Sequence, residues 1–143
     1  MVDVADIITW LGYAQRDYDI AVHLRKTFHP LPTENICYNS QQAVEKALKA
    51  ISILYTGDYE KTHDIRILHQ VCKEAGVDFG LPPSTIRILT QFATKSRYPD
   101  DVYDFTDNDA ELGLKYSLQV LTQAKEILEN AKKDLQRNSD SGN

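Results

Sequence analysis

Cysteine, glycine and proline are scarce in this chain, with 2, 6 and 5 of them among 143 residues. Cys37 and Cys72 stand far apart and form no Cys-x-x-Cys pair, which excludes a disulfide framework and a paired-cysteine zinc site. Both occupy apolar, helical positions and read as reduced core residues. The shortage of glycine and proline favours long regular elements over frequent tight turns. Positive charge is also short. A net charge of −5 argues against a broad, sequence-independent grip on nucleic acid, which calls for a basic surface, although a local basic patch stays compatible with it. No apolar run reaches the roughly 20 residues of a membrane span. The opening MVDVADIITW carries acids where a secretory signal would carry bases. The expectation is a cytoplasmic protein with no membrane association.

What the chain does contain is helical periodicity. The first helix is expected from about Asp3 to Phe28, with Trp10, Ala14, Ala21, Leu24 and Phe28 recurring at three- and four-residue steps. Pro30 and Pro32 end it. The second is expected from about Thr33 to Thr56, with Gly57 as its stop. A third follows Thr62-His63-Asp64 and turns Ile65, Leu68, Cys72 and Ala75 inward before Gly76. A fourth opens after Pro82-Pro83-Ser84 with Ile86, Leu89 and Phe92 inside. The last opens near Thr106–Asp109 and carries the seam Ala110, Gly113, Ser117, Val120, Ala124, Ile127, Ala131. Nothing alternates with a two-residue period for long enough to predict a strand. The chain therefore predicts an all-α fold, an antiparallel up-and-down bundle of about five helices, with one domain over 1–136 and a polar, frayed tail over 137–143.

Four features exceed what a plain bundle requires. In the second helix Val44, Ala47, Leu48, Ile51 and Leu54 form one face, while Gln42, Lys46, Lys49 and Ile53 line the other. This second row is more apolar than a solvated face needs. It reads either as burial within the bundle or as a surface for a second subunit. Asp17 falls between Ala14 and Ala21 on the inward side of the first helix. A lone carboxylate there costs several kcal/mol, so it needs a partner among Lys46, His63 and Arg97. In KTHD, Lys61 to Asp64, Thr62 or Asp64 serves as a helix cap, and His63 is either a hydrogen-bonding core residue or a proton carrier. The acids of SRYPDDVYDFTDND lack the glycine and terminal glutamate of a calcium loop, and no metal or cofactor is expected. Arg97 and Tyr98 at its start join a guanidinium suited to phosphate with a ring suited to a base.

Taken together, QQAVEKALKA, KTHD and SRYPD resemble the HEPN family, an all-helical bundle named for nucleotide binding. The motifs come in the family's order, and the likeness runs through nearly the whole chain. It implies a homodimer and a partner, a minimal nucleotidyltransferase, in a module of toxin–antitoxin type. It also implies that Gln41, Gln42, Glu45, Lys46 and Lys49 are present for more than helicity. A nucleotide or RNA ligand is expected at Asp17, Lys46, Lys49, His63, Arg97 and Tyr98, and a dimer surface at Gln42, Lys46, Lys49 and Ile53. Active HEPN ribonucleases carry Arg, four to six residues, then His. Here no histidine follows Arg97, and no catalytic residue is assigned. Arg16 and His23 satisfy the spacing but lie in the first helix, where a solvated face is the simpler account. The alternatives are a metal-independent ribonuclease and a helical dimer whose polar motifs are only structural.

Overall fold

The computed structural model describes residues 3–93 and 104–141. Five helices follow in order: α1 (Val4–Thr27), α2 (Thr33–Thr56), α3 (Ile65–Glu74), α4 (Pro83–Phe92) and α5 (Asp107–Ser141). No strand occurs among the described residues. The architecture is the expected all-α bundle.

The helix ends follow from local chemistry. Asp3 caps α1 by accepting from the Ala5 amide at 2.9 Å. Asp64 does the same for α3 through the Arg66 amide at 2.9 Å, and Thr62 Oγ1 in turn accepts from the Asp64 amide at 3.1 Å. Thr106 and Asp109 form a reciprocal box at the start of α5, each side chain accepting from the other's amide at 3.1 and 3.0 Å. Gly57 stops α2 at φ +81°, a left-handed conformation that costs glycine least.

α2 lies at the centre. α1 packs along one side of it and α5 along another, while the short α3 and α4 pack on it and on each other. Its residues are therefore buried on almost every side, including Ser40, Gln41, Glu45, Lys49 and Ser52 as well as the apolar face. The expected inner positions Ile65, Leu68, Cys72, Ile86, Leu89 and Phe92 are all buried. At the α2–α5 crossing, a Cβ on Gly113 would stand 3.0 Å from Ser40 Cβ and 3.1 Å from its Oγ. Glycine is what lets these two helices approach.

Two expectations need correction. Phe28 does not face inward: α1 ends at Thr27, and Phe28 is its extended C-cap, 51% exposed. The segment expected to fray from residue 137 continues as helix through Ser141. At a rise of about 1.5 Å per residue, α5 reaches roughly 50 Å against about 36 Å for α2, and residues 133–140 in its last turns are exposed.

His69 on α3 is only 8% exposed, and its Nε2 has no hydrogen-bond partner. Burial pushes its pKa below the ordinary 6.5; Asp78 opposes that shift and Lys73 adds to it. The folded state thus binds fewer protons than the unfolded state once pH falls below 6.5, and stability declines in that direction. Denaturant titrations between about pH 7 and about pH 5.5 are expected to show this loss, and His69→Leu to flatten it. Gly113→Val should lower stability by about 2 kcal/mol or more, because the α2–α5 crossing cannot accept a branched side chain. An unchanged melting temperature would contradict the close approach.

Candidate functional site

The polar side chains of α2 form a ladder at four-residue steps. Gln41, Glu45 and Lys49 share one side of the helix, and Glu45 is its hub. Its Oε1 accepts from Gln41 Nε2 at 3.0 Å and lies 2.8 Å from His63 Nδ1. Its Oε2 accepts from Lys49 Nζ at 3.1 Å. Gln42 Nε2 extends the chain by donating to Gln41 Oε1 at 2.7 Å. Glu45 and Lys49 are 3% and 6% exposed, so this ion pair lies inside the protomer.

Lys49 is covered by rings as well as paired. Its ammonium stands 5.8 Å from the Trp10 ring centroid and 5.6 Å from that of Tyr59. The two rings meet edge to face at 5.0 Å. Trp10 comes from α1 and Tyr59 from the connection after α2, so three segments close over one charge. A cation placed against aromatic faces and out of water is held more strongly than the same pair in solvent.

His63 is the open end of the ladder. It precedes the Asp64 cap, and that turn aims its ring at Glu45. The side chain is 71% exposed, yet Nδ1 is held by a buried carboxylate. A carboxylate accepts only, so Nδ1 carries the hydrogen and Nε2 is left as the basic nitrogen. The arrangement suits a proton carrier or a hydrogen-bonding contact to an anion.

Asp17 and Lys46 form a second pair at 2.5 Å between α1 and α2, with side chains 14% and 25% exposed. Lys46 also lies 6.0 Å from the Tyr13 ring, which Arg16 approaches at 5.2 Å. Arg16 and His23 are both exposed on the open side of α1 and border a shallow depression with Gly12 and Ile20. Among the described residues no three His, Cys, Asp or Glu side chains gather as a metal centre requires. Burial raises both thiols, Cys37 and Cys72, to about 12, which makes them poor nucleophiles.

The expected ligand residues are thus only partly brought together. His63 and Lys49 meet on Glu45, and Asp17 meets Lys46. Arg97 and Tyr98 lie outside the described residues. Lys49 is not open to a solute, because Glu45 and two rings enclose it. The row expected to face a second subunit is also mostly closed. Lys49 and Ile53, the latter 8% exposed, are buried by the protomer's own helices, while Gln42 and Lys46 stay partly open. Glu45 is the residue that spacing undervalued: absent from the expected ligand residues, it is the acceptor that organises the site. Its signal was a polar residue at each four-residue step of the helix, at Gln41, Glu45 and Lys49. Nothing in the sequence marked Tyr59.

Comparison with known proteins gives the family and the fold. The family model described as HEPN domain matches residues 8–133. The chain belongs to the HEPN family. TT1696 from Thermus thermophilus is similar in structure, with a TM-score of 0.66 and 24% identity over 84% of this chain and 96% of that one. ST0689, an archaeal HEPN homologue, is similar with a TM-score of 0.58 and 20% identity over 85% of this chain and 97% of its own. At these identities both likenesses speak for the fold. No curated protein matches the chain significantly. In this HEPN domain, QQAVEK supplies the ladder and KTHD the imidazole that ends it. No described helix is long and apolar enough to cross a membrane.

Glu45→Ala should lower stability by roughly 3–5 kcal/mol, because it strands the Lys49 ammonium in the interior. Adding Lys49→Met should recover much of that loss, since the buried charge is then removed with its partner. Chemical denaturation of the single and double variants measures the coupling. Additive losses would mean that the two groups do not depend on each other.

Proposed function

We propose that this HEPN protein binds a nucleotide or nucleotide-bearing substrate at the His63 end of the ladder and acts with a minimal nucleotidyltransferase in a module of toxin–antitoxin type. One observation carries the reading: an exposed imidazole whose Nδ1 is fixed by a buried carboxylate, 2.8 Å away, beside a lysine-bearing helix. Such a ring is pre-oriented, so little rotamer entropy is lost when a phosphate oxygen or a base edge approaches Nε2. Lys46 adds positive charge, although Asp17 already engages it. In the proposed assembly the protein is a homodimer, with Gln42 and Lys46 as the part of the outer row still available to a second subunit. Arg97 and Tyr98 remain in the proposal as phosphate and stacking contacts supplied by the sequence.

The same dyad gives the ribonuclease reading a specific basis. A histidine backed by a carboxylate is equipped to move a proton from a ribose hydroxyl, and loss of such a group costs about 10²–10⁴ in rate.

The two readings separate in one set of measurements on purified protein. Calorimetric titration with mono-, di- and triphosphate nucleotides is expected to show binding that weakens with added salt and falls about tenfold in His63→Ala. Incubation with total RNA in the absence of metal is expected to leave the RNA intact. Cleavage that disappears in His63→Ala would replace the binding reading with the enzymatic one. Absence of any nucleotide binding, alone and in complex with the nucleotidyltransferase, would sink the first.

A further inference from the structure

A second concavity of about 760 Å³ lies between α3 and α4. Its volume falls in the range of small-molecule sites. Leu81 and Ile86 line it with apolar surface, and Arg66, Lys73 and Arg87 bring cationic side chains to it from both helices. Arg66 and Lys73 share a face of α3, seven residues apart, while Arg87 stands one turn after the proline that opens α4.

The charges here are not equally free. Asp64 is committed twice, accepting from the Arg66 amide at 2.9 Å and from Arg66 Nη2 at 3.3 Å, so Arg66 is largely answered. Asp78 accepts from the Gly80 amide at 2.8 Å. Lys73 and Arg87 have no hydrogen bond or ion pair among the described residues. The lining also includes His69, 8% exposed, whose Nε2 is buried without a hydrogen-bond partner and 3.6 Å from Asp78 Oδ1. Around one apolar hollow thus stand two cations with no hydrogen bond or ion pair among the described residues, although the charge of Lys73 acts on Asp78, and a buried imidazole whose Nε2 has no hydrogen-bond partner.

We propose that this groove binds an organic anion, with one negatively charged head group taken by Lys73 and Arg87 and an apolar body resting on Leu81 and Ile86. A guanidinium offers a fork that suits carboxylate and phosphate alike, and an ammonium on the facing helix supplies the second charge. The apolar lining adds burial energy for a body that salt cannot screen, which separates this site from a purely ionic patch. It is a different surface from the nucleotide site proposed at His63. Asp64 borders the groove, and His63 does not line it.

The test uses the full chain with three probes of one shape: naphthyl phosphate, naphthoate and neutral naphthol. Amide-resolved NMR is expected to show both anions shifting the signals of Lys73, Leu81, Ile86 and Arg87, with naphthol inert at the same concentration. The stronger of the two anions identifies the preferred head group. Lys73→Glu and Arg87→Glu should each weaken binding about tenfold, and Arg87→Lys should retain most of it. Both residues are exposed, so thermal melts of these variants should stay close to that of the parent. Equal binding of naphthol, or undiminished binding in the double glutamate variant, would overturn the proposal. Shifts confined to the amides around His63 and Tyr59 would also overturn it, while leaving the nucleotide site standing.

Discussion

A single carboxylate inside the bundle constrains the rest of this structure. Glu45 is 3% exposed, and moving an unpaired carboxylate from water into a protein interior costs several kcal/mol. It must therefore be met by donors, and three arrive: Gln41 and Lys49 from its own helix and His63 from the connection before α3. Lys49 passes the same demand outward. Its ammonium needs cover, and Trp10 of α1 and Tyr59 supply it. The docking of α1 and the path of the chain after Gly57 are both tied to one charge on α2.

The constraint links stability to the open site. A histidine on a surface connection would ordinarily sample several rotamers; here Nδ1 is pinned to a group that cannot itself move without exposing Lys49. The exposed ring is held at Nδ1 by a buried anchor. Orientation of this kind is usually provided by neighbours that never touch a ligand, and Gln41, Lys49, Trp10 and Tyr59 fit that description. A change at any of them reaches His63 through Glu45, so displacement of the His63 ring and loss of stability should be hard to separate in these four. They should separate more readily at His63 itself.

The helical pattern was legible because it rests on local rules. Three- and four-residue apolar steps, Asp64 and the Thr106–Asp109 box as caps, and Gly57 as a left-handed stop each depend on a few adjacent residues. The site was less legible because its parts come from distant segments. Periodicity registers that Lys49 and Ile53 avoid water, but it is silent on whether a second subunit or the chain's own helices provide the cover. Phe28 shows the opposite failure. Its spacing fits the inner stripe of α1, yet the helix ends one residue earlier and the ring falls outside. A stripe predicts burial only while its helix lasts. Tyr59 had no pattern at all, since a loop carries no period.

The positive charges divide by use. The chain has 16 Lys and Arg against 21 Asp and Glu, so acids are available in excess. Lys46 and Lys49 on the central helix are matched to carboxylates and largely removed from solvent. They hold the fold, which answers why a buried helix carries them. Lys73 and Arg87 are exposed, and the two acids that line the same groove, Asp64 and Asp78, accept from the backbone amides of Arg66 and Gly80. A carboxylate that caps a backbone amide keeps its negative charge but has fewer lone pairs left for a neighbouring cation. Asp64 thus answers Arg66, while Asp78, committed to the Gly80 amide, meets Lys73 through charge alone. The groove between α3 and α4 therefore carries Lys73 and Arg87 with no hydrogen-bonded acid on either among the described residues.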